Sequence, residues 1–397
     1  MKQSDTTRVL IVGGGVAALE AALALHELAP EIAQVEVVAP ETQFVYRPLL
    51  VAGERRAFPL RRLTEAAGAT LRKGLVTAVD PEERLLFTAD GDELPFDLLL
   101  LAPGAVPTAV LPGALCFRGP GEAAVLAQML EDALAGEVES FVFAIPSGAR
   151  WTLPLYELAL LTRAQLVDDF ATDVGVTIVT PEDAPLELFG ATASSAIAEL
   201  LEDRGIDLVP GTTSLSFAAG VLQIAPGGSI PADRAVALPR LDGPRLNGLS
   251  SDPLGFLPTD PFGQVYGEID IWAAGDATSF PLKQGGIAAQ QADAAAESIA
   301  ARAGAPIQPS PFRPVLRGLL LTGMSPRFLR AEGSPAVSAI DTEPLWWPPA
   351  KIVGRYLAPF LAEQLGLSEI LPDATRESAV PIEIELGPAA HGVWSEV

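Results

Sequence analysis

The stretch Arg8-Val-Leu-Ile-Val-Gly-Gly-Gly-Val-Ala-Ala18 decides the fold of the first part of this 397-residue chain. In it an apolar run ends in three glycines, and an Ala- and Leu-rich stretch of helical composition continues to about Leu28. A second apolar run, Val35–Ala39, comes next. Strand, glycine turn, helix and strand in this order predict the start of a parallel, doubly wound sheet.

The glycine spacing of this stretch, Gly13-x-Gly15-x-x-Ala18, is typical of a turn that holds a pyrophosphate. The first glycine permits a tight turn, the second lets the backbone approach the phosphates, and the small third residue lets helix and strand pack closely. The N-terminus of the helix offers free N–H groups and a positive dipole end to the anion. A plain tight turn is the alternative, because the motif alone has little specificity.

A second unit with the same layout begins near Ser140, but it lacks the glycines. Its predicted strands and helices alternate in the order Phe141–Ile145, Tyr156–Leu166, Val174–Val179, Ala193–Arg204 and Ile206–Val209. The predicted fold class is therefore α/β, with two Rossmann-like dinucleotide-binding domains of three layers each and a small C-terminal segment. We expect a split first domain at 1–122 and 255–310, a second at 123–254, and an interface segment at 311–397.

Composition and charge disfavour several functions. The net charge is −24, with 50 acidic against 26 basic residues, so binding to nucleic acid or electrostatic docking on an anionic membrane is not expected. One cysteine, Cys116, and two histidines, His26 and His391, give no reason to expect an internal disulfide or a metal site. The longest uncharged run, Leu98–Phe117, contains three prolines and indicates strand plus loop. No secretory signal precedes the first strand, so we expect a cytoplasmic protein.

Two further short motifs follow buried strands, namely Ala102-Pro103-Gly104 and Ala274-Gly275-Asp276. Together with Gly13-x-Gly15-x-x-Ala18, in this order and spacing, they resemble the FAD-dependent pyridine nucleotide-disulfide oxidoreductase superfamily over roughly residues 8–305. The resemblance implies a non-covalently bound FAD, with Asp276 holding its ribityl chain. An aspartate at a strand end can accept hydrogen bonds from such hydroxyl groups.

Within the superfamily the chain resembles sulfide:quinone oxidoreductase, flavocytochrome c sulfide dehydrogenase and type II NADH dehydrogenase. The likeness rests on Phe44–Leu49, similar to a segment that crosses the flavin, on Pro154–Glu157, similar to a Pro-x-Tyr-Glu helix start, and on Pro281–Gly286, similar to a lysine-containing turn. The residues that we expect at the cofactor are Gly13, Gly15, Val16, Ala17, Ala18, Glu41, Arg47, Pro48, Val76, Ala102, Pro103, Gly104, Gly275, Asp276, Lys283, Gln284 and Gly285.

Two residues of this set have alternative interpretations. The acid that binds an adenosine ribose usually ends the second strand, where this chain has Ala39. Glu41, two residues later, is either that ligand or a solvated turn residue. Lys283, one of only four lysines, either lies at the pyrimidine edge of the flavin and favours its reduced form, or is a solvated turn lysine.

The sequence departs from the resemblance in two respects. Sulfide-oxidising members use a pair of cysteines, whereas Cys116 is single and lies in no matching position, so neither sulfide oxidation by that relay nor disulfide reduction is expected. The second unit has Pro146-Ser-Gly-Ala-Arg-Trp-Thr-Leu-Pro154 where a nicotinamide cofactor wants a glycine motif. Two prolines remove N–H donors and Trp151 occupies the space of a pyrophosphate, so NAD(P)H binding is doubtful.

The C-terminal segment contains apolar residues at helical spacing between Lys351 and Leu365. Residues 345–365 either contact a membrane peripherally, as C-terminal helices of quinone-using relatives do, or pack on the first domain or on a second subunit in a homodimer. Pro359 interrupts the predicted helix and basic flanking residues are few, which favours packing.

Three functions remain open at this point. The first is an FAD-dependent oxidoreductase that passes electrons from a small donor through the flavin to a quinone-like acceptor, without a cysteine relay. The second is an NAD(P)H:quinone reductase of the type II NADH dehydrogenase kind. The third is a non-catalytic flavin-binding redox sensor or assembly partner, because no pair of acid, base or nucleophile is identifiable.

Overall fold

The computed structural model describes residues 6–332 and 337–365. The helices are α1 Val16–Leu28, α2 Leu60–Ala66, α3 Pro120–Leu134, α4 Leu153–Asp168, α5 Ala191–Asp203, α6 Gly285–Ala303 and α7 Leu357–Leu365, with 3₁₀ turns at Arg47–Ala52, Glu187–Phe189 and Gly275–Ala277. The strands are β1 Thr7–Val12, β2 Ala33–Ala39, β3 Gln43–Val45, β4 Ala57–Pro59, β5 Thr70–Lys73, β6 Val76–Asp80, β7 Leu85–Thr88, β8 Glu93–Pro95, β9 Leu98–Leu101, β10 Val106–Thr108, β11 Leu115–Cys116, β12 Ser140–Ala144, β13 Gly175–Val179, β14 Asp207–Val209, β15 Thr213–Ala218, β16 Val221–Ala225, β17 Gly228–Pro231, β18 Arg234–Ala237, β19 Arg240–Asp242, β20 Ile271–Ala273, β21 Val315–Leu320, β22 Arg327–Glu332 and β23 Val337–Asp341. Within the described residues no helix is long and apolar enough to cross a membrane.

The first unit is built on a parallel sheet with the strand order β20-β9-β1-β2-β5. Both faces of this sheet are covered, so the four buried residues of β1, Val9–Val12, are all apolar rather than alternating. Val9 and Ile11 face α1 and α6, whereas Leu10 and Val12 face the antiparallel sheet β6-β7-β8. Helices, parallel sheet and antiparallel sheet form three layers, which confirms the predicted architecture.

Alanines make the packing of α1 against α6 possible. Buried positions of α1 are largely Ala, and α6 presents Ala288, Ala292, Ala295 and Ala296 to the same core. Alanine has the highest helix propensity, and its small side chain lets two helices approach closely. The long Ala-rich stretch predicted as a helix is therefore a helix, and its N-terminus is brought to the edge of the sheet next to α1.

The second unit repeats this layout with the parallel strand order β11-β18-β12-β13-β14. Phe141 and Phe143 pack against the helices on one face, while Val142 and Ala144 pack against the antiparallel sheet β15-β16-β17 on the other. This confirms the second Rossmann-like unit. Strand β11, which carries Cys116, already belongs to this sheet rather than to a loop.

The C-terminal segment is an antiparallel sheet, β21-β22-β23, followed by α7. Its sheet packs on the second unit, because Gly318 lies against the side chains of Phe189 and Leu153. Its end packs on the first unit, where Ile352 and Leu357 are buried together with residues of α1 and α2. The segment therefore joins the two units, while contact of residues 345–365 with a membrane or a second subunit stays a prediction.

The structure corrects the predicted C-terminal helix. Residues 351–356 are irregular and the helix begins only at Leu357. Pro359 therefore lies in the first turn, where an N–H has no partner within the helix, and it does not interrupt the helix. The apolar residues do occur at helical spacing, but the helix starts where the N–H groups of Tyr356 and Leu357 find an acceptor in Glu20.

Two buried carboxylates hold the segment in place. Glu20 of α1 accepts hydrogen bonds from the backbone N–H groups of Tyr356 (2.8 Å) and Leu357 (2.7 Å) at the start of α7. Glu157 of α4 pairs with the buried Lys351 and accepts the N–H of Leu321 (2.8 Å). Burial raises the pKa of Glu157 and lowers the pKa of Lys351, while their mutual attraction acts in the opposite direction.

Glu20 has an acidic neighbour on α6. Burial, followed by the charge of Glu20, raises the pKa of Asp293 to about 9. The two carboxyl groups therefore retain a proton in the folded protein at a pH where both would be ionised in the unfolded chain. Because the folded protein binds this proton more tightly, the pair lowers stability as the pH rises from about 4 towards 9.

The substitution Asp293→Asn should remove this pH dependence. Urea unfolding should show that the variant gains at least about 1 kcal/mol over the parent protein between pH 5 and pH 8. Asp203→Asn, on the exposed surface of α5, is the matched control and should show no such trend. An Asp293→Asn difference that stays constant with pH would contradict the shared proton.

Removing only one member of the Glu157–Lys351 pair should destabilise the protein strongly. Lys351→Met leaves Glu157 buried without its cation and should cost about 3–5 kcal/mol of unfolding free energy. The double variant Lys351→Met/Glu157→Gln keeps an acceptor for the Leu321 N–H and should regain most of this loss. A double variant no more stable than the single one, in urea unfolding at neutral pH, would argue against the pair as the cause.

Candidate functional site

The three motifs predicted from the sequence meet at one edge of the first sheet. They follow β1, β9 and β20, which are adjacent parallel strands, so their carboxyl ends lie side by side. Gly13 has a φ of +116°, and a Cβ there would overlap the carbonyl oxygen of Ala102. Gly275 lies against Ala17 and Ala288, with a hypothetical Cβ only 3.0 Å from the Ala17 Cβ.

Gly15 differs from these two glycines because it is exposed. A Cβ at Gly15 would meet no atom of the described protein within 4 Å. Gly15 is also the N-cap of α1, and no side chain caps the N–H groups of the first turn, formed by Val16, Ala17 and Ala18. A bare, open backbone at a helix N-terminus fits an anion such as a pyrophosphate.

The strand end at Gly275 is held by a buried polar network. The Gly275 N–H donates to Gln291 Oε1 (2.8 Å), and the Thr278 hydroxyl donates to the Gly275 carbonyl (3.0 Å). Asp276 follows directly and is half-buried. Burial raises the pKa of Asp276, while Lys283 and Arg47 act to lower it. This carboxyl group therefore lies within the electrostatic influence of two cations.

Lys283 is buried rather than solvated, with 4% of its surface exposed. Its ammonium donates to the Thr278 carbonyl and lies 4.0 Å from the centre of the Phe256 ring. Burial lowers the pKa of Lys283 to about 8, against the opposing effect of Asp276, and Arg150 adds to the lowering. The interpretation of Lys283 as a turn lysine in water is wrong.

Gln284 and Gly285 begin α6 at the same place. Gln284 is the N-cap, and its side chain accepts the N–H of Ile287 (2.8 Å) and donates to the Arg317 carbonyl (3.1 Å). Its amide is thus engaged within the protein. Pro48 lies in the 3₁₀ turn that follows Tyr46, and Arg47 beside it is exposed.

Other predicted cofactor residues occupy different surroundings. Glu41 is exposed in the turn after β2, whereas the side chain of Val76 packs in the core beneath the sheet. Pro103 is exposed, and Gly104 has a φ of +82° that favours glycine. Contact of any of these residues with FAD stays a prediction.

A cavity of about 250 Å³ lies where the two units and the C-terminal segment meet. Five of the predicted cofactor residues line it, namely Arg47, Pro48, Lys283, Gln284 and Gly285. The opposite walls come from residues 117–118, residues between 150 and 157, and residues 238–241, together with Gly318, Leu319 and Lys351. The cavity therefore adjoins the site that the motifs define.

The glycine-poor loop of the second unit forms one wall of this cavity. Trp151 packs edge-on against Phe189 with ring centres 6.0 Å apart, so the loop presents an aromatic side chain where a dinucleotide-binding loop would have glycine. The acid at the end of β13, Glu182, is also engaged, since it accepts hydrogen bonds from the hydroxyls of Thr152 (3.0 Å) and Tyr156 (2.8 Å). The loop after β12 and the acid after β13, which usually hold a dinucleotide, therefore both contact other protein groups here.

The structure also identifies functional residues that sequence reasoning missed. Arg150 and Lys351 line the cavity, although 201 positions separate them in the numbering. The only sequence signal for Lys351 was the rarity of lysine. Cys116 is half-buried, and burial raises the pKa of its thiol. Of the described residues around it, Phe117 and Arg118 line the cavity but Cys116 does not.

Comparisons with known proteins agree with this geometry. Residues 7–137 match the family model of the pyridine nucleotide-disulphide oxidoreductases. An NADH dehydrogenase-like protein of Mycobacterium tuberculosis is 28% identical over 293 residues, which cover 68% of this chain and 72% of that protein. The mitochondrial sulfide:quinone oxidoreductase of Dictyostelium discoideum is 31% identical over 116 residues, 26% of this chain and 24% of that protein.

Among solved structures, the sulfide:quinone oxidoreductase of Aquifex aeolicus superimposes with a TM-score of 0.77 at 18% identity, over 85% of this chain and 87% of that one. At this identity the likeness concerns the fold, and it extends over both units. The family match over residues 7–137, the three converging motifs and the shared fold together show an oxidoreductase whose first unit is similar to the pyridine nucleotide-disulphide oxidoreductases.

Proposed function

We propose that the protein binds FAD along the carboxyl edge of the first sheet and is an FAD-dependent oxidoreductase acting on a small molecule in the adjoining cavity. The observation that carries the proposal is Gly15, whose position is open on the side where a Cβ would point and whose helix has uncapped N–H groups. Gly13 and Gly275 pack tightly against neighbouring elements, whereas Gly15, like Gly104 of the second motif, leaves free space.

The residues present fit a dinucleotide. Gly13, Gly15 and the first turn of α1 would receive its pyrophosphate. Asp276, at the neighbouring strand end, offers a carboxylate to ribityl hydroxyls, and the N-terminus of α6 at Gly285 would lie near the ring system. When bound, a flavin supplies the ability to accept and release electrons, and the protein supplies binding, orientation and electrostatics.

The protein's own contribution at the ring is a buried cation. Lys283 lies over the Phe256 ring and is influenced by the charge of Asp276, and its pKa of about 8 keeps it mostly charged near neutral pH. A cation in a place with little water exerts a stronger field than one in solvent. The apolar walls of the cavity, such as Leu153 and Leu238, exclude water from the same place.

For the partners of the reaction, we propose a small donor other than NAD(P)H and a quinone-like acceptor. The Dictyostelium discoideum relative supports a quinone by its name, although the matched stretch covers only about a quarter of that protein. Cys116 is single and is not among the residues that line the cavity, which argues against a cysteine relay. A type II NADH dehydrogenase activity is the second candidate, favoured by the Mycobacterium tuberculosis relative.

Gly15→Val should abolish FAD binding without unfolding the protein. The valine side chain would fill the space left for the pyrophosphate, yet a Cβ there touches no other described residue. The purified parent protein should be yellow and release FAD, not FMN, on denaturation, whereas the folded variant should be colourless. Gly227→Val, in an exposed turn with equally open space, is the control and should retain FAD. A parent protein without flavin would overturn the proposal.

NADH and NADPH should bind weakly to the flavin-loaded protein. The loop containing Trp151 has no phosphate cradle and Glu182 is engaged with Thr152 and Tyr156, so calorimetric titration should show no saturation up to about 1 mM. Saturable binding in the low micromolar range, with rapid bleaching of the flavin, would favour the type II NADH dehydrogenase candidate instead.

A further inference from the structure

The cavity concentrates positive charge in a strongly acidic protein. Among the described residues, five basic side chains line it but only one acidic side chain does, although the whole chain has 26 basic and 50 acidic residues. The five cations are Arg47, Arg118, Arg150, Lys283 and Lys351, and the acid is Glu157. The chain as a whole has about two acids for each base, whereas bases outnumber acids among the residues that line the cavity.

Three of these cations already have an acidic neighbour. Lys351 is paired with Glu157. Arg118 lies 2.9 Å from a carboxylate oxygen of Glu122, and Lys283 faces Asp276. Their charges are largely balanced within the protein.

Arg47 shares Asp276 with Lys283, and Arg150 has no acidic neighbour of this kind among the described residues. Among the described residues, no carboxylate lies within 4.0 Å of either guanidinium, and neither side chain donates a hydrogen bond to a protein group. Each guanidinium carries five N–H donors in a planar fork that matches a carboxylate. Two such forks on the wall of one cavity indicate an anionic ligand.

The surroundings of Arg150 support this interpretation. Its guanidinium carbon lies 5.0 Å from the centre of the Phe256 ring, which also carries Lys283 at 4.0 Å. Two cations are therefore held on one buried aromatic ring. Asp276 and Asp252 oppose the repulsion on the Lys283 side, and an anion bound beside Arg150 would reduce it further. The ring also restricts the guanidinium, which reduces the entropy lost on binding.

The remaining walls of the cavity are apolar and favour a ligand whose uncharged part is also apolar. Phe117, Trp151, Leu241 and Leu319 present carbon surface to the same space. An apolar cavity of about 150 Å³ holds benzene, so the volume of about 250 Å³ has room for a ring with a charged substituent.

We propose that this cavity binds a small organic carboxylate, with its apolar body against Trp151 and Leu241 and its carboxylate on the guanidinium groups of Arg150 and Arg47. The role of this carboxylate as a substrate rests on the proposed oxidoreductase function. Its binding requires only the cavity.

The test is calorimetric titration of the flavin-loaded protein with benzoate and with benzamide, which has nearly the same shape but no charge. Benzoate should bind about tenfold more tightly than benzamide, because only the carboxylate forms charge-assisted bonds with the guanidinium groups. Equal affinities, or binding of neither probe, would overturn the proposal.

Variants locate the site. Arg150→Gln should weaken benzoate binding about tenfold and leave benzamide binding unchanged, whereas Arg150→Lys should retain part of the preference. Arg61→Gln removes the same charge from the exposed surface of α2 and should leave both affinities unchanged. If Arg150→Gln and Arg61→Gln have the same effect, the preference reflects net charge and the proposed site is wrong.

Failure of this proposal can be distinguished from failure of the proposed function. Trp151 lines the cavity, so quenching of tryptophan fluorescence by benzoate reports occupancy whether or not a flavin is bound. A protein without flavin that still prefers benzoate would overturn the oxidoreductase proposal but support the carboxylate site. A flavin-loaded protein that does not prefer benzoate would support the oxidoreductase proposal but overturn the carboxylate site.

Discussion

The close approach of Gly13 to the carbonyl oxygen of Ala102 is the constraint on which the candidate site depends. It requires both a positive φ and the absence of a side chain at the end of β1. With the turn held against β9, the next residues are directed outward, which leaves Gly15 free of contacts at the start of α1. Close packing also requires glycine at the third strand end, where Gly275 fits between Ala17 and Ala288. Three neighbouring strands thus present an edge of bare backbone, as a charged pyrophosphate requires.

The C-terminal segment completes the cavity. It is held by hydrogen bonds and an ion pair to two buried acids, and losing these contacts would cost stability. Glu20 receives the first N–H groups of α7, and Glu157 receives Lys351 and the N–H of Leu321. Both acids are fully buried, so each must find these partners to avoid an unsatisfied charge. Misplacement of the segment would leave two carboxylates unpaired. The same contacts that dock it also set Leu319 and Lys351 into the wall opposite Lys283.

The sequence predicted the parts of the fold that depend on short-range pattern. Strand, glycine turn and helix are adjacent in the chain, so the first unit and its edge of motifs followed from local rules, and the second unit followed from its repeated layout. The start of α7 was missed because apolar spacing alone does not show which residues satisfy a helix N-terminus. The cavity could not be predicted, since Arg47, Arg150, Lys283 and Lys351 are brought together only by the packing of three separate parts of the chain.

In the second unit, the loop that lacks a glycine motif is also the loop that carries Arg150 into the cavity. A glycine motif at residues 146–154 would have left an open cradle in front of α4, as Gly15 does in front of α1. Here the loop instead carries Trp151, which is fixed by Phe189, while Thr152 and Tyr156 are fixed by Glu182. With its neighbours held in this way, Arg150 is directed to the cavity and onto Phe256. In a protein of net charge −24 the surrounding field repels anions, so cations must be concentrated locally wherever one is to bind. The loop at residues 146–154 provides such a cation, next to side chains held by Phe189 and Glu182 and at the edge of the site where the flavin ring is proposed to lie.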